Sequence, residues 1–147
     1  RFPNTLDAAG NLTPDSVRFI MESVRDRDHR IVQHSAVPGG DHTFWLGAEE
    51  VNNNAWIHGE FVALAAVLIA WHCGENPDML AGWLDTCKVR WRPDEIGVTR
   101  QQLSKALEYA PAFMADSDNG RDVRSILRLN PIVGLEFDNL WDYLQHV

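Results

Sequence analysis

Phe61 to Trp71 is an unbroken apolar run of eleven residues, and it constrains the fold more than any other stretch. Extended to its flanks, Trp56–Cys73, it predicts a helix that is apolar nearly all round. Such a helix has no face to offer to water and must be enclosed. Eleven residues are too few to span a bilayer, so the run reads as a buried core helix. Gly74 follows in the position where helices commonly stop. The remaining elements have to be built around this one.

The flanking sequence supplies them. Thr13-Pro14-Asp15 is a helix start: a capping hydroxyl, a proline at the first helical position and an acid for the dipole. Val17, Ile20, Met21 and Val24 follow at helical spacing, which predicts an amphipathic helix to about Arg25. Gly39-Gly40 breaks the chain before a helix from about Asp41 to Val51, and Asn52-Asn53-Asn54 reads as a loop. Asn76-Pro77-Asp78 opens a helix with Met79, Leu80, Trp83, Leu84 and Cys87 on one face. Thr99-x-x-Gln102 reads as a capping box ahead of Leu103, Ala106, Leu107, Ala110 and Phe113, and Pro111 is expected to bend or end that helix. Short helices near 123–129 and 135–146 complete the chain. The sequence therefore predicts an all-α helical bundle around a buried central helix at about 56–73. No repeat or linker divides residues 1–147, so a single helical domain is expected.

At 147 residues the chain can enclose a proper core. An apolar fraction of 45% with six tryptophans describes a folded chain. A net charge of −8 argues against nucleic acid or an anionic membrane as partner. Cys73 and Cys87 have neither a metal-type nor a disulfide-scaffold spacing, and they are expected to be packing residues in a reducing, cytoplasmic setting. No signal peptide is visible. The chain starts at Arg1 without a methionine, which raises the expectation that its N-terminus was removed. No dinucleotide-binding glycine motif, phosphate loop or nucleophile elbow is present.

Two histidines stand out. His58 begins the segment His58-Gly59-Glu60 at the head of the central helix, sixteen residues after His42 in Pro38-Gly39-Gly40-Asp41-His42-Thr43-Phe44. Histidine is the commonest metal-ligating side chain, and two at the mouths of neighbouring helices can share an ion. Glu60, two residues on, does not share a helical face with His58 and reads as structural, bonding a helix end or a neighbouring loop. His72 reads as packing, and His29, His34 and His146 as surface. Arg90, Arg92, Arg121 and Arg124 have two readings, a phosphate-holding set and a solvated basic face, of which the solvated face is the commoner. Most tryptophans are expected in the core, with Trp45 and Trp56 flanking the histidine pair.

The segment Ser35-Ala36-Val37-Pro38-Gly39-Gly40-Asp41-His42-Thr43-Phe44, followed by Trp56-Ile57-His58-Gly59-Glu60-Phe61-Val62-Ala63-Leu64, resembles the C-terminal helical domain of the dehydroquinate synthase-like superfamily. That superfamily includes glycerol and glycerol-1-phosphate dehydrogenases, iron-containing alcohol dehydrogenases and sugar-phosphate cyclases. Gly74-Glu75-Asn76-Pro77 and Pro93-Asp94-Glu95-Ile96-Gly97-Val98-Thr99 resemble its polyol dehydrogenase branch. Ser125-Ile126-Leu127 resembles, more weakly, the tail of the glycerol-1-phosphate enzymes.

The resemblance implies a divalent ion, zinc first with iron or nickel as alternatives, held by His42 and His58 and by a carboxylate from an earlier helix. It implies an NAD(P)-dependent polyol or polyol-phosphate dehydrogenase, with the nicotinamide bound by an N-terminal domain that this sequence lacks. The partner is then that missing nucleotide-binding domain or a second copy of the chain. The sequence departs from the family in one further respect: Leu46 stands where many relatives carry another histidine, four residues beyond the first. The alternatives are a sugar-phosphate cyclase-like domain and a non-catalytic, stand-alone helical module for binding or assembly.

Overall fold

The computed structural model of the chain describes residues 7–8, 11, 13–18, 40–116, 123 and 125–147. The chain divides into two compact units, Arg1–Pro38 and Gly39–Val147. In the first, residues 14–18 are helical. The Ser16 amide donates to Thr13 Oγ1 at 3.2 Å and the Val17 amide to Thr13 O at 3.0 Å. Thr13 is thus the cap that its sequence context predicts. The expected continuation of that helix to Arg25, and His29 and His34, lie outside the described residues.

The second unit is built from helices, and no strand occurs among the described residues. We number them α1 (Gly40–Asn52), α2 (His58–His72), α3 (Pro77–Thr86), α4 (Arg100–Met114), α5 (Ile126–Leu129) and α6 (Leu135–His146). The all-α expectation is met. No helix among the described residues is long and apolar enough to cross a membrane.

Helix α2 is the centre. Phe61, Ala63, Leu64, Ala65, Val67 and Leu68 are all buried, and four of them are wholly without exposure. It starts at His58, two residues later than the apolar pattern suggests, because Trp56 and Ile57 belong to the incoming loop. At its end Gly74, at φ +68°, turns the chain back. The Glu75 amide donates to Ala70 O at 2.9 Å and the Gly74 amide to Trp71 O at 3.1 Å, the paired closure of a left-handed helix stop.

The same closure ends α3, where a lysine occupies the left-handed position. Lys88 has φ +57°, with the Val89 amide on Leu84 O at 2.9 Å and its own amide on Asp85 O at 3.0 Å. Helix α3 departs from the expected face. It buries Ala81 and half-buries Leu80 and Leu84, whereas Met79, Trp83 and Cys87 point outward. Cys73 is exposed as well, so neither cysteine is a packing residue. Among the tryptophans only Trp91 is fully enclosed; Trp83 is 60% exposed and the others are partly buried.

The most extensive helix contact is α1 on α4. Gly47 makes it close: a Cβ there would meet the Phe113 ring at 2.9 Å. Helix α4 opens with the expected capping box, in which the Thr99 amide donates to Gln102 Oε1 at 2.9 Å and the Gln102 amide to Thr99 Oγ1 at 3.3 Å. Pro111 does not end it. The helix runs on to Met114, because a proline in the last turn removes a single ladder bond.

A polar clamp closes the far side. Arg92 grips Asp85 with two parallel bonds of 2.7 and 2.8 Å, and its Nε donates to Val147 O at 3.0 Å. Trp91 Nε1 donates to the same Asp85 at 3.0 Å. Arg92 is therefore committed to structure and is not part of a free basic face. The Arg92 and Trp91 hydrogen bonds hold the Asp85 carboxyl at about 2, below its ordinary value. A depressed carboxyl contributes stability above its ordinary value, and that contribution fades as pH falls toward the folded value. Urea midpoints should therefore drop between roughly pH 4 and pH 2, and Asp85→Asn should flatten that slope while lowering the midpoint at pH 7.

Two substitutions test the packing and the stop. Gly47→Ala should destabilise by about 1–3 kcal/mol through overpacking on Phe113, outweighing its helix-propensity gain. Lys88→Gly should stabilise by about 0.5–1 kcal/mol, since glycine adopts the left-handed conformation without strain. Thermal and urea unfolding would check both.

Candidate functional site

Helices α1 and α2 pack against each other, and their joining loop helps to set where the two candidate histidines fall. Asn53, at φ +48°, takes the left-handed position that stops α1, with the Asn54 amide on Glu49 O at 3.2 Å and its own on Glu50 O at 3.3 Å. Asparagine is among the residues that tolerate this conformation best. The Glu49 side chain then reaches over the loop, and its Oε1 accepts from the Trp56 amide at 2.8 Å. This bond fixes the approach to α2. Phe44 against Phe61, with ring centres 5.7 Å apart, sets the register of the pair.

The outcome is a cluster of side chains from the first turns of both helices. The rings of His42 and His58 have centres 5.0 Å apart and meet at 60°. Trp45 stands edge-on to His58 at 4.3 Å. His58 is exposed, and the His42 side chain is about one-fifth accessible, at 20%. Asp41 Oδ2 lies 3.0 Å from His42 Nδ1. Trp45 Nε1 is buried without a hydrogen-bond partner among the described residues.

A tetrahedral ion about 2.1 Å from each of two imidazole nitrogens would hold the ring centres roughly 5 Å apart. The spacing of His42 and His58 therefore suits a shared ion. It also suits an edge-to-face contact of two rings. Among the described residues no group of three or more His, Cys, Asp or Glu side chains is placed to hold an ion. Two imidazoles leave coordination positions to be filled from elsewhere. Water, an anion or a donor on another surface would serve.

The surroundings of the pair differ in part from expectation. Trp45 flanks it, whereas the Trp56 ring lies against Phe61; both are half-buried, and the exposed apolar side chains nearby in sequence are Leu46 at 47% and Ile57 at 65%. Glu60 lies 3.6 Å from Arg90 Nε, on the connection after α3, an ion pair with a neighbouring loop. Arg90 also donates to Glu95 O. Arg121 and Arg124 lie outside the described residues, as does the chain from Ser35 to Gly39. An open depression of about 510 Å³ is lined by Gly40, Asp41, Ile69, Ala70, Glu75 and Ser125 among others.

Other side chains proved more constrained than the sequence suggests. His72, expected as packing, is a buried polar link with 1% side-chain exposure. Its Nε2 donates to Asn130 O at 2.7 Å, and its Nδ1 lies 2.8 Å from Glu136 Oε1 at an angle too oblique for a directed bond. His146 is exposed, as expected, with Nδ1 at 2.7 Å from Asp142 O. Tyr143 donates to Asp78 Oδ1 at 2.9 Å, and burial together with that carboxylate pushes its hydroxyl well above the ordinary range. Asp41 touches His42 directly, and Glu49 holds the loop that leads to His58. The one sequence signal for Asp41 is its place directly before His42; for Glu49 there is none.

No protein-family model matches the chain, and no curated protein or solved structure is significantly similar to it.

The loop bond is open to a direct test. Glu49→Ala should cost about 1–2 kcal/mol, as expected for losing a partly buried hydrogen bond to a charged acceptor. It should also accelerate hydrogen exchange at the Trp56 amide, read by NMR. Glu49→Gln, which keeps an acceptor oxygen, should restore most of both.

Proposed function

We propose that this chain is the metal-bearing helical half of an NAD(P)-dependent polyol or polyol-phosphate dehydrogenase, active only beside a nucleotide-binding domain. The observation that carries the reading is the 5.0 Å approach of His42 and His58 from the first turns of two packed helices. The resemblance of the Gly39-Gly40-Asp41-His42 and His58-Gly59-Glu60 segments to the dehydroquinate synthase-like superfamily gives that approach its chemical meaning.

In this reading His42 and His58 hold a divalent ion, zinc by preference for imidazole in tetrahedral sites, with iron or nickel as alternatives. When bound, the ion supplies Lewis-acid polarisation of a substrate oxygen. The chain's own contribution is positional. Glu49 and Asn53 set the loop that delivers His58, and the Phe44–Phe61 contact holds the helices in register. Trp45 walls one side of the His58 ring. Exposed His58, Leu46 and Ile57 leave the site facing outward, toward the surface that would bring the nicotinamide and complete the ligand set.

A second reading is a non-catalytic helical module for binding or assembly. It draws support from Leu46, which stands exposed where the family places a further histidine.

Zinc titration of the 147-residue chain, followed by calorimetry, separates the two. The first reading expects weak binding that either His42→Ala or His58→Ala reduces at least ~10-fold, the scale on which even an outer-shell loss is felt. It also expects no NAD⁺ or NADP⁺ binding and no polyol turnover by this chain alone. Zinc affinity unchanged in both variants would remove the metal reading. Tight nicotinamide binding by the isolated chain would remove the division of labour.

A further inference from the structure

We propose that Asp41 is a positioning residue for His42, fixing which imidazole nitrogen is offered to a metal. The inference rests on the metal-site reading above and adds to it a role for a residue outside the ligand pair.

Asp41 Oδ2 lies 3.0 Å from His42 Nδ1, and the two side chains are 28% and 20% exposed. A carboxylate oxygen only accepts, so at this distance Nδ1 carries the hydrogen. In the neutral ring the lone pair is then on Nε2, the nitrogen farther from the backbone. Ligation uses a lone pair, and ligating histidines commonly give their other N–H to a carboxylate or carbonyl, which locks tautomer and ring orientation. The pair Asp41–His42 has that form, and the His58 ring stands 5.0 Å from the His42 ring, within reach of a shared ion.

Two other histidines among the described residues make ring-nitrogen contacts of a different kind. His72 also has a carboxylate at Nδ1, but its Nε2 is held by Asn130 O and the ring is enclosed. His146 gives Nδ1 to the carbonyl of Asp142, four residues before it on α6. Neighbouring residues on a helix do not ordinarily face each other. The Asp41–His42 contact, in the first turn of α1, is thus a specific arrangement and not a by-product of helical spacing.

The test has a readout that needs neither turnover nor a nucleotide domain. Long-range ¹⁵N–¹H correlation spectra of the labelled 147-residue chain, without metal, report the tautomer of each histidine. The parent should show His42 as the Nδ1–H form. Asp41→Ala should move it toward the Nε2–H form, while Asp41→Asn, whose amide oxygen also accepts, should keep the parent tautomer. In zinc titrations read on the same signals, Asp41→Ala should weaken binding roughly 10- to 100-fold, with Asp41→Asn close to the parent. Far-UV circular dichroism identical among the three chains ties the change to the site and not to unfolding.

If the parent shows His42 as the Nε2–H form, or if Asp41→Ala binds zinc as tightly as the parent, the proposal is overturned while the metal site stands. If the parent takes up no zinc at His42 and His58, the metal reading itself fails. The tautomer spectra then still decide whether Asp41 fixes the ring, so the two failures are distinguishable.

Discussion

The enclosure of α2 is the constraint on which the rest of the structure depends. A helix that buries Ala63 and Ala65 as well as the stripe of Phe61, Leu64, Val67 and Leu68 hides roughly 200° of its circumference, at about 100° per residue, and must have neighbours on more than one side. Each side chain of that stripe contributes about 1.5–3 kcal/mol when removed from water. Helix α1 covers one side in register through Phe44 and Phe61, α3 follows from the Gly74 stop, and α6 is tied to the end of α2 by His72 and by Trp71 against Tyr143. The close contact of Gly47 with Phe113 then brings α4 onto α1. The bundle is a shell assembled round one apolar element.

The histidine pair lies where that shell ends. Every residue from Phe61 to Trp71 is apolar, so the first turn of α2 is a place where a polar side chain sits at no cost to the core. His58 occupies that position, and the packing of α1 on α2 through Phe44 and Phe61 brings His42 to it. A coordination site needs lone pairs held in place on a rigid base but left accessible. The geometry offers both properties: two helices braced by buried rings, and imidazoles at the rim.

Much of the fold was legible in the sequence, and the failures share a cause. Caps at Thr13, Asn76 and Thr99 were readable because capping is a local hydrogen-bond problem with a short list of solutions. The central helix was readable because a uniform apolar run has one outcome. By contrast, the pattern Met79, Leu80, Trp83, Leu84, Cys87 defines a stripe without saying which of its edges faces the core. The core took Leu80, Ala81 and Leu84, and left Met79, Trp83 and Cys87 outside. Arg92 reads as a surface cation until Asp85, seven residues earlier, is found folded back against it. His72 reads as filler because its partners, Asn130 and Glu136, are 58 and 64 residues away. Local chemistry is written locally; pairing across helices depends on a register that only the assembled bundle sets.

The same reasoning separates what the site owes to motif and what it owes to fold. The residue types at His42 and His58 are visible in the sequence, but their 5.0 Å approach depends on two devices that no histidine motif contains. One is Asn53 in the left-handed position, which lets the chain reverse within the Asn52–Ile57 connection. The other is Glu49, whose carboxylate holds the Trp56 amide and so sets the direction from which α2 begins. Shifting either would rotate His58 about the α2 axis, and a rotation of one residue, about 100° of helix, would carry the ring away from His42 altogether. The pairing of the imidazoles is therefore a property of the loop and of the packed rings behind it. A sequence that kept both histidines and lost Glu49 and Asn53 would keep the motif without the site.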